Sequence, residues 1–173
     1  MTQFRQFERP NFYAGRLVTA ADFQQDQDYF RAKLRLHNRL LHGWGVVTGL
    51  QVSESAGTLT VSAGLALDCA GNELVLAEPR HTALSNVAGR RYVTIQYVEV
   101  PTRQQPSPTG DTQFSTILED VRIQITSIDP ASGHSNSAIN VACGIDHPLC
   151  LATIRRNGFK WRIGIARRRR LSK

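Results

Sequence analysis

The sequence lacks the features that mark a membrane-spanning or secreted protein. Within its 173 residues there is no uninterrupted apolar run of the roughly 18–20 residues that cross a bilayer. The opening segment Met1–Arg5 is polar and lacks the apolar core of a signal peptide. We therefore expect no membrane insertion and a chain that is made and folded in the cytosol.

Enzymatic signatures are also missing. The chain has no nucleophile elbow, phosphate-binding glycine loop or dinucleotide fingerprint. His37 and His42 are five residues apart near a helix end, a spacing that predicts side chains pointing in different directions. Glu119 and Asp120 are neighbours in a predicted strand, so they should face opposite sides of a sheet. The sequence predicts a protein that is not an enzyme and needs no cofactor.

Cysteine is scarce. Cys69, Cys143 and Cys150 are odd in number and too few for a secreted disulfide framework. Cys143, His147 and Cys150 lie in one loop, with Cys69 as a fourth candidate, and zinc accepts such ligands. Because no close pair of cysteines is present, a metal site, a Cys143–Cys150 disulfide and plain thiols all stay open, with thiols as the default.

The net charge of +7 is concentrated at one end. Residues 51–150 carry five basic and ten acidic side chains, whereas residues 151–173 carry nine basic ones and none that is acidic. Around the run Arg167, Arg168, Arg169 and Arg170 we find no aromatic platforms of the kind that stack on bases. The tail therefore predicts contact with an acidic protein neighbour, or solvation, rather than nucleic-acid binding.

A helix is predicted over residues 19–42. Thr19 and Asp22 have the spacing of a capping box, no glycine or proline follows until Gly43, and Gly43 suits a helix C-cap. Ala20 begins a seam with alternating spacings of three and four, which continues through Phe23, Gln27, Phe30, Leu34, His37 and Leu41.

The seam favours a helix that joins copies of the chain. The polar residues Gln27 and His37 within it would fix register and copy number, and we expect a homotrimer. A second stripe of Tyr29, Leu36 and Leu40 predicts packing of the same helix on its own strands. The alternative is a helix that packs only on its own domain, with His37 hydrogen-bonded at the margin.

The rest of the chain alternates in the manner of β-strands. Predicted strands cover 50–53, 58–62, 66–69, 73–76, 92–100, 116–126, 149–155 and 159–165, with long loops at 101–114 and 129–148. Asn157-Gly158 is the clearest hairpin turn. The predicted fold is α+β: an arm at 1–18, a long N-terminal helix at 19–42, an antiparallel β-sandwich or meander at 43–166, and a basic tail at 167–173.

Four segments resemble small proteins encoded with bacterial contractile injection systems and phage-tail-like particles. They are Arg9–Phe23, Lys33–Leu50, Leu59–Leu74 and Arg91–Pro101. The resemblance implies a baseplate, spike or tail-fibre attachment protein whose helix joins copies and whose strands dock on other particle proteins. It also implies assembly in the bacterial cytoplasm, followed by incorporation into an injection particle.

Two other functions stay open at this stage. A β-domain of a tail-like particle could bind a glycan or a cell surface, although Phe114 is the only aromatic residue in the two long loops. A metal-dependent or thiol enzyme could use Cys143, His147 and Cys150.

Overall fold

Within the residues that the structure describes, one helix is followed by ten β-strands. The structure is a computed structural model, and it describes residues 6–84, 89–108, 110–130, 143–158 and 160–165. Residues 6–19 run without regular secondary structure to the helix. The prediction of a helix followed by antiparallel strands is confirmed.

The helix begins at the predicted capping box. The Asp22 amide donates to Thr19 Oγ1 at 3.4 Å, and the Thr19 amide donates to Asp22 Oδ2 at 2.9 Å. The α-helix α1 spans Ala20–His37, 18 residues, and continues as a π-helical turn over Asn38–His42. Its last bond runs from the Gly43 amide to the Asn38 carbonyl, 2.8 Å, and Gly43 has a φ of 79°. The α-helical part is thus shorter than the long helix predicted, because the last turn widens.

The strands form three antiparallel sheets. In chain order they are β1 (Gly45–Gly49), β2 (Val52–Ser55), β3 (Thr58–Val61), β4 (Gly64–Leu67), β5 (Glu73–Leu76), β6 (Arg80–Ala83), β7 (Arg90–Pro106), β8 (Thr112–Thr126), β9 (Leu149–Asn157) and β10 (Lys160–Ile165). The sheet orders are β1-β4-β5, β2-β3-β6 and β10-β9-β7-β8. A β-sandwich, one of the two predicted arrangements, is not established by these sheets.

The predicted loop at 101–114 is wrong over most of its length. Strands β7 and β8 stay paired from Tyr92↔Thr126 to Pro106↔Thr112, so the connection is only a short turn. Pro101 and Pro106 suggested a loop, but a proline removes one donor from a ladder and leaves the pairing on either side intact. In the second predicted loop, residues 131–142 lie outside the described residues.

The core lies among the strands. Leu59, Leu74, Ile95, Leu151 and Ile154 are among its fully buried members. In contrast, no residue of α1 is buried. The hydrophobic effect that holds the sheets together therefore contributes little to holding the helix.

Two glycines let strand β1 approach strand β4. Gly49 has a φ of 61°, and a Cβ there would lie 2.0 Å from the Ala63 carbonyl oxygen. Gly64, its partner in the ladder, would collide with the Thr48 carbonyl in the same way. The close approach of these two backbones therefore requires glycine at both positions.

Candidate functional site

The helix presents an apolar seam to the outside. The seam comprises Phe23, Gln27, Phe30, Leu34, His37 and Leu41, and every one of these side chains is exposed. Phe23 and Phe30 are each 61% exposed, Leu34 is 50% and Leu41 is 70%. Large apolar side chains exposed along one helix face make this row a candidate interaction surface.

The opposite side of the helix contacts the N-terminal arm. The Phe7 and Tyr29 rings meet edge to face with centroids 6.2 Å apart. Together with Gln24, Gln25 and Asp28 they line an open groove between arm and helix. Tyr29 was predicted to pack on the strands, and this contact with the arm corrects that prediction.

Polar groups join the helix to the sheets. Arg31 binds the Glu99 carboxylate on β7, and the Arg35 guanidinium lies over the Tyr97 ring, 6.0 Å from its centroid. The buried Asn38 side chain donates to the Gly71 carbonyl at 3.0 Å. These contacts orient the helix so that the seam faces away from the strands.

The π-helical turn brings His37 and His42 together. Their Nε2 atoms are 3.2 Å apart and their ring centroids 5.1 Å apart. The prediction that they point in different directions is wrong, because a π-helical turn places residues i and i+5 on one side, as the Gly43–Asn38 bond shows. The seam thus ends in an exposed imidazole pair.

A cluster of two cysteines and one histidine lies near the C-terminal end of the helix, which we call the base of the helix. The ligand atoms of Cys69, Cys143 and His147 all lie within 4.8 Å of one another. Cys143 Sγ and His147 Nε2 are 3.3 Å apart. We call these three residues the cysteine–histidine cluster. It contains three of the four predicted metal candidates.

Cys150 does not belong to the cluster. It lies in strand β9, where its thiol contacts the Ala152 carbonyl at 3.7 Å. None of the three cysteines is in a disulfide, so the alternative of a Cys143–Cys150 bridge finds no support in the described residues.

The electrostatics of the cluster follow from burial. Burial raises the pKa of the Cys69 thiol to about 12. Burial also raises the pKa of the neighbouring Asp68 carboxyl, against hydrogen bonds from Asn72 that favour its charged form. Without a cation, therefore, the Cys69 thiol is a weak nucleophile at neutral pH.

Two predicted binding features remain: the basic tail and Phe114. Arg167, Arg168, Arg169 and Arg170, the predicted partner-binding tail, lie outside the described residues. Phe114, the aromatic residue considered for glycan binding, lies in strand β8 and is 49% exposed. Among the described residues, no helix has the length and apolar character needed to cross a membrane.

Sequence reasoning missed two polar residues that position the helix. Arg31 and Asn38 looked like ordinary helix-surface residues, yet each contacts a residue on a sheet or its connecting turn. Asn38 follows the seam residue His37 in the last turn of the predicted helix. A polar side chain that becomes buried there needs a hydrogen-bond partner, and this requirement was the signal for a contact outside the helix.

Comparisons with known proteins relate this fold to baseplates. No protein-family model matches the sequence. No curated protein matches it either. Among solved structures, TssK is similar with a TM-score of 0.53 at 14% identity, over 91% of this chain and 41% of TssK. A chain of the type VI secretion system TssK-TssF-TssG baseplate subcomplex is similar with a TM-score of 0.53 at 13% identity, over 91% of this chain and 60% of that one.

The resemblance to contractile injection baseplates is confirmed at the level of the fold. The chain spans less than two thirds of the length of either structure that it matches. At 13–14% identity the likeness establishes a shared fold, and a shared fold does not by itself determine function.

Proposed function

We propose that this chain is a non-enzymatic structural subunit of the baseplate of a contractile injection particle. It associates with copies of itself through the seam on α1 and with other baseplate proteins through its strands. The observation that carries the proposal is the seam itself: an exposed row of Phe23, Phe30, Leu34 and Leu41 along a helix whose α-helical part has no buried residue.

The pattern of the seam favours a second copy as its occupant. Spacings of three and four place the row on one face of the helix, and their alternation from Ala20 to Leu41 is that of helices that pack lengthwise on one another. Gln27 and His37 interrupt the apolar row, as polar residues do where a coiled coil fixes its register. We propose a trimer, assembled through residues 19–42 in the bacterial cytoplasm before incorporation into the particle.

The long β7–β8 hairpin offers a separate surface for other baseplate proteins. Its outer half carries the exposed apolar residues Val100, Phe114, Ile117 and Leu118. Val100 pairs with Leu118 and Pro101 with Ile117 across the ladder, so apolar groups are present on both faces. The basic tail 167–173 is proposed to contact an acidic neighbour in the same assembly.

The experiment is to purify injection particles from cells that carry the wild-type chain, a deletion or Leu34→Glu. We expect the wild-type chain in the baseplate fraction by mass spectrometry, and particles without a complete baseplate in the deletion strain by electron microscopy. Leu34→Glu should resemble the deletion while the protein itself remains folded. Intact particles in the deletion strain would contradict the proposal.

A further inference from the structure

We propose that the cysteine–histidine cluster binds a zinc ion, which fastens the loop 143–148 to the turn between β4 and β5. Cys69 and Cys143 are far apart in the sequence, yet their sulfur atoms and a ring nitrogen of His147 lie within 4.8 Å of one another. Zinc binds thiolate and imidazole ligands, whereas calcium and magnesium take oxygen ligands. A set of two thiolates and one imidazole therefore selects zinc over those two ions.

The distances suit a tetrahedral ion. Zinc bonds of about 2.3 Å to sulfur and about 2.0–2.1 Å to nitrogen place the two ligand atoms roughly 3.6 Å apart at a tetrahedral angle. The observed separation of Cys143 Sγ and His147 Nε2 is 3.3 Å. This pair therefore has to move by only a few tenths of an ångström, the other two pairs lie within 4.8 Å, and solvent can fill the fourth position.

The histidine is held in the tautomer that a metal requires. His147 Nδ1 lies 3.2 Å from the Pro148 carbonyl oxygen. A carbonyl oxygen only accepts hydrogen bonds, so Nδ1 carries the proton and Nε2 presents its lone pair towards Cys143. A backbone carbonyl that fixes the imidazole in this way is typical of metal-ligating histidines.

The backbone brings the ligands together before any metal binds. The Gly144 amide donates to the Cys69 carbonyl at 3.0 Å and joins the loop to the turn. The turn is held by Asp68, whose carboxylate accepts from the Asn72 amide and from its side chain, both at 2.8 Å. A preorganised site loses less entropy when the ion binds.

The proposed ion would act next to the end of the seam. A Cβ at Gly144 would lie 2.9 Å from Arg39 Nη1, so the loop touches the π-helical turn directly. Gly71, in the same turn as Cys69, accepts from Asn38. Fastening the loop to the turn therefore steadies the base of the helix that carries the seam.

The test is a cobalt(II) titration of the reduced, metal-free full-length chain. Cobalt replaces zinc in sites of this kind, and thiolate ligation adds a sulfur-to-cobalt charge-transfer band to its spectrum. We expect one ion per chain, the thiolate band, and a higher melting temperature with zinc. Cys143→Ser and His147→Ala should remove or strongly weaken binding, whereas Cys150→Ser, outside the cluster, should leave it unchanged.

Two further measurements protect the test. The double variant His37→Gln/His42→Gln tests whether the imidazole pair at the end of the seam binds the metal instead. In this variant, cobalt binding by the cysteine–histidine cluster should persist, with its thiolate band. If Cys143→Ser fails to fold, zinc should still shield two of the three wild-type thiols from a thiol reagent until a chelator is added. Weak binding without a thiolate band, binding lost only with the His37/His42 pair, or a reduced chain that binds no metal would overturn the proposal.

Discussion

Arg31 on helix α1 binds the carboxylate of Glu99 on strand β7 and so joins the helix to the large sheet. Glu99 also accepts from the Tyr97 hydroxyl at 2.9 Å and stands directly opposite Glu119 in the ladder. Burial and hydrogen bonds to these two carboxylates raise the pKa of Tyr97, so its hydroxyl remains a donor. The helix is therefore docked by charge, and its apolar seam remains available.

Removing this contact should loosen the helix without unfolding the strands. Arg31→Met should lower the free energy of unfolding by less than about 1 kcal/mol, because the pair is partly exposed and screened by solvent. Hydrogen exchange should show faster exchange in residues 20–42 and little change in the sheets. Lys33→Met, which removes a charge from the same helix without touching the sheet, should have a smaller effect. Equal exchange in both variants would contradict docking by Arg31.

Gly71 should be irreplaceable at the helix base. Its φ is 90°, and a Cβ there would lie 2.3 Å from the Arg35 carbonyl oxygen. Gly57 has a φ of 78° with no atom within 4 Å of such a Cβ, so Gly57→Ala isolates the backbone strain of about 1–2 kcal/mol.

In chemical denaturation, Gly71→Ala should cost on the order of 1–3 kcal/mol more than Gly57→Ala, because backbone must move as well. If the two variants were equally stable, the contact between this turn and the helix would not be tight.

The start of the helix should depend on pH through Asp22. Hydrogen bonds from Thr19, and then the charge of Arg16, hold the pKa of the Asp22 carboxyl below its ordinary value. A carboxyl with a lowered pKa stabilises the fold at pH values above its unfolded pKa of about 3.9, and this contribution is lost as the pH falls through the folded value.

Thermal unfolding followed by circular dichroism between about pH 7 and pH 2 measures this contribution. Asp22→Asn should melt at a lower temperature than wild type near neutral pH, and the difference should shrink in acid. Asp26→Asn, a helix carboxyl outside the capping box, should track the wild type. If the difference in melting temperature between Asp22→Asn and the wild type were unchanged at the lowest pH, the capping carboxylate would not be its source.

Local signals in the sequence predicted the elements whose ends are determined locally. Thr19 and Asp22 identified the helix start, and the Asn157-Gly158 signal identified the β9–β10 hairpin, although its register shows that the connection begins at Gly158. Strands β1 and β6 were missed: β1 is short and glycine-rich, and β6 consists of three polar residues and one alanine. Their strand character comes from pairing with β4 and β3, which no local window contains.

The candidate sites show the same division. The row from Phe23 to Leu41 could be read from its spacing, since a helix converts spacing directly into a face. The contact of Cys69 with Cys143 depends on which strands adjoin, and that information is tertiary. The sequence did not predict the imidazole pair, because the π-helical last turn changes the angle between side chains that are five residues apart.

The central claim is that the seam joins copies of this chain, and light scattering coupled to size exclusion tests it most directly. At micromolar concentration the purified full-length chain should have a mass near three times 19.3 kDa. Leu34→Glu places a charge in the seam and should give a folded monomer. Gln25→Glu places the same charge on the opposite face of the helix, and this variant should remain a trimer. A wild-type chain that is strictly monomeric, or a Leu34→Glu chain with the wild-type mass, would contradict the account.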